Sequence, residues 1–115
     1  MTVAMSHSER IMYVELKSDL DDSGPAWIGR VRLSKTGQTV YYRGLTLARR
    51  QGAAGNHVDV ATGNEYWVSG VKKDGTDRHW AGHGPVNVDS DVLDEYLEVV
   101  DKSVANRFRK RQRVV

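Results

Sequence analysis

Gln38–Gly70, QTVYYRGLTLARRQGAAGNHVDVATGNEYWVSG, is the stretch whose reading decides the fold. Tyr41–Tyr42 and Tyr66–Trp67 each sit in a run of β-branched and aromatic residues, the composition that suits a pleated, half-buried surface. Turn residues separate the two runs. The residues before Gln38 read as strands that pair with this stretch, and the residues after Gly70 end in a helix that covers it.

Within the stretch, Thr39 to Arg43 alternates, with Val40 and Tyr42 on one side and Tyr41 and Arg43 on the other. Gly44 reads as a bulge or bend, after which Leu45 and Leu47 resume the pattern. ARRQGAAGN, opening with Arg49 and Arg50 after Ala48, reads as a mobile surface loop. His57–Val60 and Asn64–Gly70 form a hairpin across Ala61–Thr62–Gly63.

Upstream, Ile11 to Lys17 places Met12, Val14 and Leu16 on one face and Ile11, Tyr13, Glu15 and Lys17 on the other. Trp27 to Ser34 does the same, with Trp27, Gly29, Val31 and Leu33 opposite Ile28, Arg30 and Arg32. Between Ser34 and Thr39, Gly37 is placed for the positive φ of a tight hairpin. Two hairpins at this spacing favour an antiparallel meander or small barrel over parallel βαβ units.

Downstream, Lys72–Asp77 reads as a turn and Arg78–Ala81 as a short last strand. From Asp89 the period changes: Val92, Leu93, Tyr96, Leu97, Val100 and Val104 recur at spacings of three and four, an amphipathic helix. Asp89 or Ser90 is placed to cap it. The expected packing sets Leu93, Tyr96 and Leu97 on Val31, Tyr42 and Val68. The fold expected is mainly β: a small antiparallel meander or SH3-like barrel of five to six strands with a C-terminal amphipathic helix. Residues 1–10 are expected to be disordered, 11–104 to form one β-rich domain, and 105–115 to be a basic tail.

The 115 residues carry a net charge of +2, and it is segregated. Residues 1–101 hold 11 Lys and Arg against 15 Asp and Glu, a balance of −4, and residues 102–115 hold six basic residues and no acid. The body is therefore not built as a whole to lie on nucleic acid. The chain has no cysteine, which excludes disulfides, thiolate metal sites and cysteine nucleophiles. No apolar run reaches the roughly 20 residues of a membrane helix, and a cytoplasmic location is expected.

Few patterns carry chemistry. Asp19, Asp21 and Asp22 lie close together, but the segment lacks the glycine and terminal glutamate of an EF-hand loop and reads as solvated. His79 and His83 stand four apart, yet the glycines and proline around them oppose a helix; with His57 they read as loop histidines, and neither metal nor cofactor is expected. No nucleophile–base pair or phosphate loop stands out, so no catalytic residue is assigned. The coherent feature is a sheet face of Tyr13, Arg30, Arg32, Tyr41 and Arg43, with Trp67 as an addition. Aromatic rings interleaved with arginines can stack bases and hold phosphates, or serve as an ordinary solvated face. The basic tail (Arg107, Arg109, Lys110, Arg111 and Arg113) is a second candidate surface for nucleic acid.

Tyr41–Tyr42–Arg43–Gly44, Glu65–Tyr66–Trp67–Val68–Ser69–Gly70, Lys72–Lys73–Asp74–Gly75 and Gly84–Pro85–Val86 together carry a resemblance. On these residues the chain resembles a family of small, uncharacterised bacterial proteins whose members are often labelled 1-deoxy-D-xylulose-5-phosphate synthase. The likeness covers Ile11 to about Leu97. It departs at His57, where the family has an aromatic residue, and at Leu97, where it has tryptophan. A synthase of that kind is several-fold longer and works with thiamine diphosphate, for which this chain has no motif. The resemblance thus implies no catalytic residues. The expected function is a non-enzymatic protein-binding or adaptor module with an unknown protein partner and no membrane role. The alternative is nucleic-acid binding through the tail and the Arg/Tyr face.

Overall fold

The computed structural model describes residues 9–17, 24–52, 54–73 and 86–106. Seven strands run in chain order: β1 (Glu9–Leu16), β2 (Ala26–Leu33), β3 (Thr39–Tyr42), β4 (Leu45–Arg49), β5 (His57–Asp59), β6 (Glu65–Gly70) and β7 (Val86–Val88). Each of the first five pairs antiparallel with the next, and β1 pairs with β6 to close the ring. The fold is a closed six-stranded antiparallel meander barrel, and closure removes the exposed edges an open sheet of this size would carry. β7 adds to the outside, parallel to the first half of β2. Next come a 3-10 turn (Ser90–Val92) and helix α1 (Leu93–Val99). No helix of the described residues is long and apolar enough to cross a membrane.

The period-2 reading of the strands holds. The barrel interior is one cluster of Val14, Val31, Val40, Tyr42, Leu47, Tyr66 and Val68, joined by Met12, Leu16, Trp27, Leu33 and Leu45. Alternation sends these residues inward because one face of every strand must leave water for the barrel to be stable. Gly37 takes φ +77 in the β2–β3 hairpin, as expected, with its N–H donating to the Ser34 carbonyl.

The helix does not pack on Val31, Tyr42 and Val68, which line the barrel interior. It packs outside, on β1 and β2, where Val92, Tyr96, Val100 and Ala105 join Tyr13, Ala26 and Ile28 in a second core. Leu93 belongs to neither cluster, and Leu97 is only partly buried against the second. The amphipathic period is correct, but the stripe that docks is centred on Val92, Tyr96 and Val100. The helix also breaks: Val100 is extended (φ −78, ψ 162), and a second helical stretch runs over residues 102–106. The Asp101 N–H donates to the Lys73 carbonyl at this break.

Three boundaries move. Glu9 and Arg10 are not part of a disordered end but pair with Arg32 and Val31 in β1. Ala105, assigned to the tail, is 3% exposed and belongs to the domain. Gly44 is not a bend within one strand. Arg43 (φ 51) and Gly44 (φ 81) both have positive φ and form a two-residue hairpin that opposes Tyr42 to Leu45, the combination of a type I′ turn. Arg49 accordingly lies in β4, opposite His57, rather than in the loop after it. The described part of that loop is anchored: Glu65 Oε1 accepts the Ala54 and Gly55 N–H groups at 2.9 and 2.8 Å. Met1–Ser8, the 19–22 aspartates, Arg78–Ala81, His79, His83 and the basic tail lie outside the described residues.

His57 sits at the start of β5, 3% exposed. Asn56 Oδ1 accepts the Val68 N–H at 2.8 Å while its Nδ2 donates to the Val68 carbonyl at 2.9 Å, so the side-chain amide prolongs the short β5 ladder. That orientation fixes Oδ1 as the acceptor for His57 Nδ1, 2.9 Å away, and so places a proton on Nδ1. Burial, and then the Arg49 charge, hold the imidazole pKa below its usual value. A depressed folded-state pKa means that the unfolded chain binds the extra proton more readily. The contribution is therefore complete above the unfolded value of about 6.5 and is lost as pH falls below it. Denaturation midpoints should decline from about pH 7.5 towards pH 5.5, and a His57→Gln variant should show a shallower decline. Parallel declines in both proteins would show that the buried imidazole does not titrate with folding.

Candidate groove between the second and third strands

The groove arises where two strands part. β3 pairs with β2 only at Arg32↔Tyr41 and Leu33↔Val40, while β7 takes the same edge at Ala26, Trp27 and Ile28. Gly29, Arg30 and Val31 are left without a partner strand on that edge among the described residues. The opening is a groove of about 470 Å³. Its walls mix charged side chains with Tyr41, Thr46 and Leu45, unlike the mostly apolar lining of small-molecule sites.

One row of side chains crosses four strands on the outer barrel face: Glu9, Arg32, Tyr41 and Thr46 are successive cross-strand partners, and all four line the groove. The Arg32 guanidinium lies over the Tyr41 ring, its Cζ 4.2 Å from the centroid, a cation–π distance. Arg30 Nη2 reaches Glu95 Oε1 of α1 at 2.8 Å, which holds the guanidinium charged and ties helix to barrel. Arg43 Nη2 stands 3.2 Å from Asp89 Oδ1.

Asp89 spans the gap. Its N–H donates to the Ile28 carbonyl at 2.9 Å, and its Oδ2 accepts the Tyr42 hydroxyl at 2.6 Å. Burial, reinforced by the Asp89 carboxylate, pushes the Tyr42 pKa well up and keeps the phenol a donor. Gly29 makes room for this contact: a Cβ there would lie 2.3 Å from Asp89 Oδ2 and 2.6 Å from the Tyr42 ring. Arg43 holds a left-handed conformation that costs a non-glycine residue about 1–2 kcal/mol. Its ion pair with Asp89 and the Tyr42 ring beneath it, 5.6 Å from Cζ, offset that cost.

Comparisons of the chain with family models, curated proteins and solved structures give no match.

Of the six residues expected on one face, the structure brings together Arg30, Arg32, Tyr41 and Arg43. Tyr13 is a correction: it points outward from the barrel, but outward there means under the helix, and it is fully buried. Its hydroxyl donates to Glu15 Oε1 at 2.5 Å. Trp67, 38% exposed, stands on β6 opposite Glu15, across β1 from β2 and outside the groove. Sequence reasoning missed Glu9 and Asp91 in the lining, and missed Glu95, Asp89 and Gly29 as the residues set against Arg30, Arg43 and Tyr42. Asp89 was legible only as a helix cap, and it makes no side-chain cap bond. Among the described residues no group of three or more His, Cys, Asp or Glu could hold a metal.

Proposed function

We propose that this chain is a small, cytoplasmic, non-enzymatic protein-binding or adaptor module that presents the groove between β2 and β3 to a protein partner. On this reading it is a member of the small bacterial family it resembles. The observation that carries the reading is the way the groove is built: three arginines stand around a strand gap, and one of them, Arg43, is held in a left-handed conformation. The turn thereby sets the Arg43 side chain beside the gap, against Asp89.

The alternative, nucleic-acid binding, draws on the same arginines and on the tail. Charge around the groove weighs against the face: Arg30, Arg32 and Arg43 stand among Glu9, Asp89, Asp91 and Glu95, three positive groups among four negative ones. A polyphosphate meets little net attraction there. The tail remains the stronger nucleic-acid candidate. A pull-down from the native host, with and without nuclease, separates the readings. Capture that survives nuclease, and truncation after Asn106, but is lost in Tyr41→Ala supports the module. Capture abolished by nuclease or by removing the tail supports nucleic acid, with affinity falling steeply in salt.

A further inference from the structure

Resting on that reading, we infer that the groove recognises a single carboxylate presented by the partner on an otherwise uncharged peptide, with Arg32 as the gripping group. The other two guanidiniums are committed: Arg30 to Glu95 at 2.8 Å and Arg43 to Asp89 at 3.2 Å. Arg32 is exposed, and its described contact is the Tyr41 ring, over which its Cζ lies. A cation–π contact takes up none of the guanidinium's N–H donors with a hydrogen-bond acceptor, and those donors bind carboxylates in a bidentate fork. The ring also restrains the side chain, so less side-chain freedom is lost on binding.

A carboxylate fits the surroundings better than a phosphate. Glu9 is the cross-strand neighbour of Arg32, and Asp91 lines the same groove. One uncommitted guanidinium balances a single negative charge, while a doubly charged group would meet these acids with no second free cation among the groove's described residues. Thr46, next to Tyr41 in the row, adds a hydroxyl for a peptide backbone or side chain. Leu45 beside it offers partly buried apolar surface.

The experiment is fluorescence anisotropy with the full chain. The probes are a labelled glycine-rich peptide with one glutamate and an amidated C-terminus (the Glu–Gly peptide), its glutamine counterpart (the Gln–Gly peptide), and a Gln–Gly peptide with a free C-terminal carboxylate. Inorganic phosphate and a short single-stranded oligonucleotide serve as competitors. The expected result is binding of the carboxylate-bearing peptides over the amidated Gln–Gly peptide, weakened roughly tenfold to hundredfold in Arg32→Ala. Arg32→Lys, which keeps the charge and loses the fork, should fail to rescue it. The two carboxylate probes tell a side-chain source from a chain terminus. Equal binding of Glu–Gly and amidated Gln–Gly, full binding by Arg32→Lys, or displacement by the oligonucleotide at lower concentration than by unlabelled Glu–Gly peptide would each overturn the inference. Nuclease-resistant capture in the pull-down that is indifferent to Arg32→Lys would sink the carboxylate and leave the module standing. Capture lost with nuclease would sink both.

Discussion

Replacing Tyr96 with alanine is expected to destabilise the protein by about 3–5 kcal/mol, the range for emptying a buried aromatic site. Tyr96 is 5% exposed and sits at the middle of the cluster that seals the helix onto β1 and β2. The same substitution at Leu93, one turn earlier and in neither cluster, should cost about 1 kcal/mol, as expected for a leucine only partly buried. The contrast matters more than either value. The amphipathic pattern gives Leu93 and Tyr96 equal places, so pattern alone would not separate the two sites. Thermal and chemical unfolding of both variants measures the order, and a Leu93→Ala loss as large as the Tyr96→Ala loss would show the helix docked on a different stripe.

The second large effect is expected at Gly29. Adding one methyl there drives a Cβ to 2.3 Å from Asp89 Oδ2 and 2.6–2.7 Å from the ring and hydroxyl of Tyr42. Tyr42 cannot retreat, because its ring is packed in the barrel interior and is 3% exposed. The Asp89 contact must therefore open, and Gly29→Ala should cost about 3 kcal/mol, the upper part of the overpacking range. Tyr42→Phe should cost about 1.5–3 kcal/mol through loss of a hydrogen bond to a charged acceptor. Because both changes act on one contact, the double variant should lose less than the sum. Strict additivity would mean that Gly29 is constrained by something other than the Tyr42–Asp89 contact.

Much of the barrel was legible because its signal is local. A strand with one face in the core must alternate, and the inward sets Met12–Val14–Leu16, Trp27–Val31–Leu33 and Val40–Tyr42 come from that period alone. The helix was legible for the same reason, with a period of 3.6. What escaped depends on contacts distant in sequence. Ile11, Tyr13 and Ile28 put apolar surface on the second face of β1 and β2, the sign of strands covered on both sides. Alternation alone groups Tyr13 with the arginines instead. Arg43–Gly44 lacks the Asn-Gly or Asp-Gly of a usual type I′ turn, and its geometry is stabilised by Asp89 from far along the chain.

The candidate site was half legible. Arg30, Arg32, Tyr41 and Arg43 share an outward face by alternation, so their proximity could be read. Their commitments could not. The carboxylates that hold Arg30 and Arg43 come from Glu95 and Asp89, and a pairing across 65 residues leaves no periodic trace. Nor could the groove itself be read, because it exists only where β7, three residues long and parallel, takes the edge that β3 leaves.

The two faces of β1 belong to two different cores, and that arrangement closes the barrel, docks the helix outside it and sets Asp89 and Glu95 beside the arginines. Nuclear Overhauser contacts on an isotope-labelled sample test it directly. The Tyr13 ring should show cross-peaks to the methyls of Ile28, Val92 and Val100, and the Val14 methyls should show them to Val31 and Val68. Tyr13 contacts to Val31 or Val68, or contacts from Val92 to the Val14 methyls, would contradict it.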